Sequence, residues 1–100
     1  MPVWTIRQSN EQYDIWDCDL GGMVVSVTSL HSGQHTNGHS HDYTEWYRVI
    51  EGNGILKYGR GSTLILAPYC DWVKIPKGSH HQAFNDSDKE FIFLCVWRKE

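Results

Sequence analysis

Apolar and polar residues alternate with a period of two along most of this chain, which is the pattern of half-buried strands. Met23 to Leu30 is rich in β-branched residues and predicts a strand. Glu45 to Ile50 predicts another, closed by the turn signal Gly52-Asn53-Gly54. Ile55 to Tyr58 and Ser62 to Leu66 flank Gly59-Arg60-Gly61 and predict a hairpin. Asp71 to Ile75, stopped by Pro76 and Gly78, and His81 to Asn85 follow as short strands. Phe91 to Trp97 is apolar on both faces and therefore central. Near the start, Trp4 to Ile6 predicts a short edge strand and Ser9 to Gln12 a turn. Tyr13 to Trp16 predicts a strand that breaks between Asp17 and Gly22. No stretch of ten residues carries a helical period. Short strands punctuated by Gly and Pro predict an all-β sandwich or barrel.

The 100 residues make one domain, 1–100, large enough for a core of its own. Five Trp, five Tyr and three Phe favour strands and an aromatic interior or binding surface. The formal charge of −3 comes with scattered basic residues, which argues against nucleic acid as a partner. No apolar run reaches membrane-spanning length, and Met1 to Thr5 lacks a signal peptide's basic start and apolar centre, so the expected setting is the cytoplasm. Cys18, Cys70 and Cys95 are odd in number and match neither zinc nor redox spacing, so they read as reduced thiols. Lys57, Tyr58, Arg60, Lys74 and Lys77 read as solvated surface residues rather than as contacts to an anionic ligand.

The candidate chemistry is concentrated between Gly33 and Glu45. His39 and His41 share strand parity and project together, and Glu45 rejoins them if the chain stays extended. Two imidazoles and a carboxylate make half or more of a coordination shell. Pro76-Lys77-Gly78-Ser79-His80-His81 offers a fourth ligand. Tyr47 shares the parity of Glu45 and is a candidate to face the same site, as a proton carrier or ligand contact or else as a core residue. Trp46, Arg48 and Ile50 then face the other way.

These residues resemble the cupin superfamily. Gly33, five residues, His39-Ser40-His41, three residues, Glu45, six residues and Gly52 match its first motif in every element. Pro76-Lys77-Gly78, His81 and Asn85 match its second, with Cys70 where the motif opens on Gly. Motif spacing and parity select His81 over His80. The resemblance implies a small antiparallel β-barrel of double-stranded jelly-roll type, one divalent transition metal (Fe, Mn, Ni, Co, Cu or Zn) on His39, His41, Glu45 and His81, and a structural Asn85. It implies a slightly altered turn at Cys70, because Gly allows a positive φ that Cys resists. For function it implies a metal-dependent enzyme on a small hydroxylated carbonyl compound, such as a sugar or sugar-phosphate isomerase, with Glu45 and Tyr47 as catalytic candidates and Tyr47 touching substrate. A Fe(II)-dependent dioxygenase and a non-catalytic sugar-binding module are the alternatives. A small-molecule ligand and a homodimer through the Trp46 and Ile50 face complete the expectation.

Overall fold

The computed structural model describes residues 3–98, and over them the alternating pattern becomes nine strands with no helix. They are β1 (Trp4–Ser9), β2 (Tyr13–Asp19), β3 (Met23–Leu30), β4 (Glu45–Glu51), β5 (Gly54–Tyr58), β6 (Ser62–Leu66), β7 (Val73–Ile75), β8 (His81–Phe84) and β9 (Phe91–Arg98). A six-stranded sheet has the order β1-β2-β3-β9-β4-β7, and a three-stranded sheet the order β6-β5-β8. All strand pairs are antiparallel. The expected all-β jelly-roll fold is therefore present, as two facing sheets rather than a closed barrel.

β9 is central because both of its faces are apolar: it pairs with β3 on one side and β4 on the other. On its inner face Phe91, Phe93 and Cys95 are buried with Leu30, Tyr47, Val49, Leu56, Leu66 and Ile75. Each large apolar side chain fully removed from water contributes about 1.5–3 kcal/mol, so this aromatic layer dominates the stability of the domain. Phe91 lies against Phe93 at 5.0 Å between ring centroids, and Phe93 stacks on Tyr47 at 5.3 Å.

Three boundaries differ from the sequence expectation by two residues or more. The first is at β1, which runs on to Ser9 instead of ending at Ile6 because its pairing with β2 resumes at Gln8–Ile15 and Ser9–Asp14. β2 runs on to Asp19 instead of breaking at Asp17, because its pairing with β3 continues through Asp17–Ser26 and Cys18–Val25. β7 begins at Val73, since only Val73, Lys74 and Ile75 reach β4. At Cys70 no special backbone is needed. Positive φ angles among the described residues belong to glycines alone, and the Cys70 N–H donates to the Ala67 carbonyl in an ordinary turn. Asn85 is buried and structural as expected. Its side-chain amide donates to the Leu30 and Lys89 carbonyls, and its oxygen accepts from Ser87.

The Gly52-Asn53-Gly54 turn is held by close approach. A Cβ at Gly54 would lie 2.1 Å from the Phe91 ring, and Gly52, at φ +80°, would put one 2.3 Å from the Glu90 carbonyl oxygen. Gly54→Ala is therefore expected to destabilise the domain by about 1–3 kcal/mol through overpacking at Phe91. The check is the denaturant midpoint, and an unchanged midpoint would contradict this account.

Candidate metal centre

The segment before β4 is held beside β8 by backbone hydrogen bonds rather than by a regular ladder. The His39 N–H donates to the His81 carbonyl at 3.1 Å, and the His81 N–H returns to the His39 carbonyl at 2.9 Å. This reciprocal pair sets the two histidines opposite each other as an isolated bridge. Gly78 N–H donates to the His41 carbonyl at 2.7 Å, tying the Pro76–Gly78 turn to the other motif. His39 and His41 thus lie on an extended loop, not on a strand, and the chain bends at Asp42 and Tyr43 before β4 begins at Glu45. The expected continuous extension to Glu45 does not occur. Convergence comes from the bend and from the tie to β8.

The result brings His39, His41, Glu45 and His81 together, with one donor atom from each within 4.8 Å of all the others. Glu45 and His81 are buried, His41 is half-buried, and His39 is exposed at the cavity side. Two ring orientations are set by backbone carbonyls. The Nδ1 atoms of His39 and His81 lie 2.9 Å from the Asn37 oxygen and 3.0 Å from the Ser79 oxygen. A carbonyl can only accept, so Nδ1 carries a proton in each ring, and Nε2 is the atom that presents a lone pair when the ring is neutral.

The Nε2 atoms of His41 and His81 face a carboxylate. Glu45 Oε1 is 2.8 Å from His41 Nε2 and 3.1 Å from His81 Nε2, yet Glu45 Oε1 and His81 Nε2 are buried without a directed hydrogen bond. Acceptors converging at such distances repel unless a proton or a cation lies among them. Three imidazoles, two of them with outward Nδ1–H bonds to carbonyls, and one carboxylate match the donor set and outer contacts of a transition-metal site. These four residues could hold a metal ion.

The cluster opens into a cavity of about 300 Å³ between the inner face of the six-stranded sheet and the loop that carries His39 and His41, lined also by Tyr43, Tyr47, Ser26, Cys95 and Trp97. Tyr47 meets the His81 ring edge-on at 5.9 Å, and Tyr43 stacks on His41 at 4.5 Å. Burial, then the Cys95 thiol opposite it and the Glu45 carboxylate, raise the Tyr47 pKa well above the usual phenol value. Burial, followed by Glu45, pushes Tyr43 up to about 12. At neutral pH both phenols keep their protons and serve as donors. Burial lowers the His41 pKa against the opposing pull of Glu45, which favours the neutral, metal-binding form. At His81 burial also lowers the pKa, but the hydrogen-bonding approach of Glu45 and the Ser79 carbonyl outweigh it and the net shift is upward.

The sequence matches the profile of the cupin domain over residues 26–97. The chain belongs to the cupin family. A cupin-2 domain protein of Rhodospirillum rubrum is similar in structure, with a TM-score of 0.82 and 22% identity, over 99% of this chain and 70% of that one. A Klebsiella pneumoniae protein with a double-stranded β-helix domain matches at a TM-score of 0.80 and 27% identity, over 93% of this cupin and 82% of that chain. The oxalate decarboxylase of Lactobacillus farciminis matches at 0.85 and 19% identity, where 96% of this cupin covers 31% of the longer enzyme. No curated protein matches the sequence.

His39, His41, Glu45 and Tyr47 line the cavity of this cupin, and His81 is buried behind them within reach of the other three ligand candidates. His80 is exposed, with its ring over Gly38, and His31 lies apart between Asp14 and Glu90. Lys57 lies over Phe84, Lys74 over Trp46, and Lys77 pairs with Asp42. Among the cavity residues that the sequence pattern does not single out are Arg7, Tyr43 and Trp97. Trp97 shares its strand face with Phe93 and Cys95, a parity signal that was available. Tyr43 lies in the bend, where parity does not apply, and Arg7 arrives from the far edge of the sheet.

Proposed function

We propose that this cupin is a metal-dependent enzyme acting on a small hydroxylated carbonyl compound, with an aldose–ketose type of isomerisation as the reaction class. The observation that carries the reading is the convergence of His39, His41, Glu45 and His81, three of which (His39, His41 and Glu45) line an open cavity. A divalent metal held there supplies Lewis acidity to substrate oxygens. The cavity is at the lower end of the roughly 300–1,000 Å³ typical of ligand clefts, which suits a substrate of a few carbons. Tyr47, a buried phenol that keeps its proton, is the candidate donor to a developing oxyanion, and Glu45 is the candidate carrier of the transferred proton. A Fe(II)-dependent dioxygenase would use the same residues. The deciding experiment is elemental analysis of protein purified without added metal, followed by a screen of aldoses, ketoses and their phosphates with and without oxygen. Product formed without oxygen consumption supports the isomerase. Oxygen uptake coupled to product replaces it with the dioxygenase, and ligand binding without turnover leaves a binding module.

The proposed setting is the cytoplasm, where Cys18, Cys70 and Cys95, all free thiols, stay reduced. Among the described residues no helix is long and apolar enough to cross a membrane.

The proposed assembly is a homodimer through the outer face of the six-stranded sheet. Trp46 (41% exposed) and Ile50 (49%) face outward there, and Ile6 (58%) lies on the same face across the sheet. Met23, Val25, Trp46, Trp72 and Val96 line one apolar depression on it. Contiguous exposed apolar surface of this kind marks an interface, and two-fold pairing is its commonest use. Light scattering at micromolar concentration is expected to return the dimer mass, and Trp46→Glu the monomer mass. A monomeric wild-type protein would end the idea.

A further inference from the structure

Opposite the metal-ligand corner, the cavity wall carries a cation. Between β1 and β2 the register shifts, so that Ile6 pairs with Trp16 and Gln8 with Ile15, leaving Arg7 as the extra residue of a bulge. Bulges re-aim side chains, and here Arg7 and Gln8 both line the cavity. Arg7 Nε contacts Asp17 Oδ2 at 2.9 Å, which orients the guanidinium and leaves its terminal amino groups as further donors. The guanidinium lies over Trp97 at 5.8 Å from the ring centroid. Trp97 stacks on Tyr43 at 5.5 Å, and Tyr43 stacks on His41. A ladder of three rings therefore runs from the cation to a metal-ligand candidate along one wall. On the same lining, the Ser26 hydroxyl is fully buried and faces the Cys95 thiol across the β3–β9 pair.

A role in stability does not account for Arg7. The ion pair with Asp17 is half exposed at the sheet edge, and such pairs contribute little. A single guanidinium matches the planar, two-oxygen geometry of a carboxylate. Asp17 beside it cancels much of its charge, which disfavours a dianionic phosphate. The small cavity points the same way.

We infer that the hydroxylated carbonyl substrate proposed for this cupin also carries a carboxylate, which is received by Arg7 while the other substrate oxygens meet the His39, His41, Glu45 and His81 corner. The assignment deepens the proposed metal-dependent activity and rests on it. Arg7 is the specificity determinant, and Trp97 and Tyr43 form the flat wall along which the carbon chain lies.

The test is calorimetric titration of glycolate, lactate, glycolamide, lactamide and inorganic phosphate into manganese-loaded and metal-free protein. At least one acid is expected to bind in the millimolar range or tighter. In Arg7→Gln its affinity should fall about tenfold or more, as loss of a charge-assisted pair implies. The matching amide should change less than about twofold, and metal content should stay at the wild-type level. Arg7→Lys should recover part of the loss. A fall of less than tenfold for the acid, an equal fall for the amide, no acid binding to metal-replete protein, or phosphate binding more tightly than the acids would each overturn the inference. Should the protein hold no metal, the metal reading fails by its own measurement. The metal-free titrations then decide Arg7 by the same tenfold criterion.

Discussion

His41→Ala and His81→Ala are each expected to strip the protein of its divalent metal when it is purified without supplementation, with the loss read by elemental analysis. Removing a residue that only supports a ligand lowers metal affinity by roughly 10–100-fold. Removing one of four direct donors should cost at least as much. His41 is the cleaner variant because its side chain is partly exposed, whereas His81 is 1% exposed and leaves a hole when truncated. Neither belongs to the Phe91, Phe93 and Leu56 layer that holds the sheets together, so the far-ultraviolet spectrum of His41→Ala should match the wild type. Glu45→Gln supplies an independent arm. Glu45 Oε1 faces two imidazole nitrogens across 2.8 and 3.1 Å. An amide there can donate to one of them, so metal-free Glu45→Gln should be at least as stable as the metal-free wild type while binding metal poorly. Full metal occupancy in both histidine variants would sink the proposed centre.

Tyr47→Phe is expected to lower turnover by roughly 10²-fold or more with metal content unchanged, if the phenol carries a proton in the rate-limiting step. The substitution keeps the ring, and with it the stacking on Phe93 and the edge contact to His81. A phenol that only fills the core would cost about 1 kcal/mol, under tenfold in rate. A pH arm checks the burial of the phenol independently of any role in turnover. Burial first, then Cys95 and Glu45, raise the Tyr47 pKa, so the folded protein resists ionising this group where the unfolded chain ionises it. Its contribution to stability is therefore complete below the unfolded value of about pH 10 and is lost as pH rises beyond it. Tyr47→Phe should remove that alkaline loss whether or not Tyr47 is catalytic. A variant that shows the alkaline gain but unchanged turnover removes Tyr47 from the mechanism and leaves Glu45 as the proton carrier.

Local pattern alone determined most of the strands. Alternation and β-branched runs suffice for Met23–Leu30, Glu45–Glu51 and the hairpin of β5 and β6, and two apolar faces suffice to make Phe91–Arg98 central. Fixed offsets also singled out His39, His41, Glu45 and His81, because a metal shell demands residue types that chance rarely spaces so. The reason given for their convergence was only half right. Strand parity holds for Glu45 and Tyr47 on β4, but His39 and His41 lie on a loop shaped by hydrogen bonds to His81 and Gly78, partners about forty residues away. Tertiary structure decided the rest. β2 extends through Asp17 because β3 pairs with it and because Asp17 meets Arg7, neither of which polar residues in a row can announce. Arg7 reaches the cavity through a bulge, an irregularity that depends on how two strands pair. Nothing in the sequence around Arg7 or Tyr43 sets them beside Trp97 and His41. That neighbourhood exists only once β1, β2, β3 and β9 lie side by side, so it is a property of sheet order and not of any one segment.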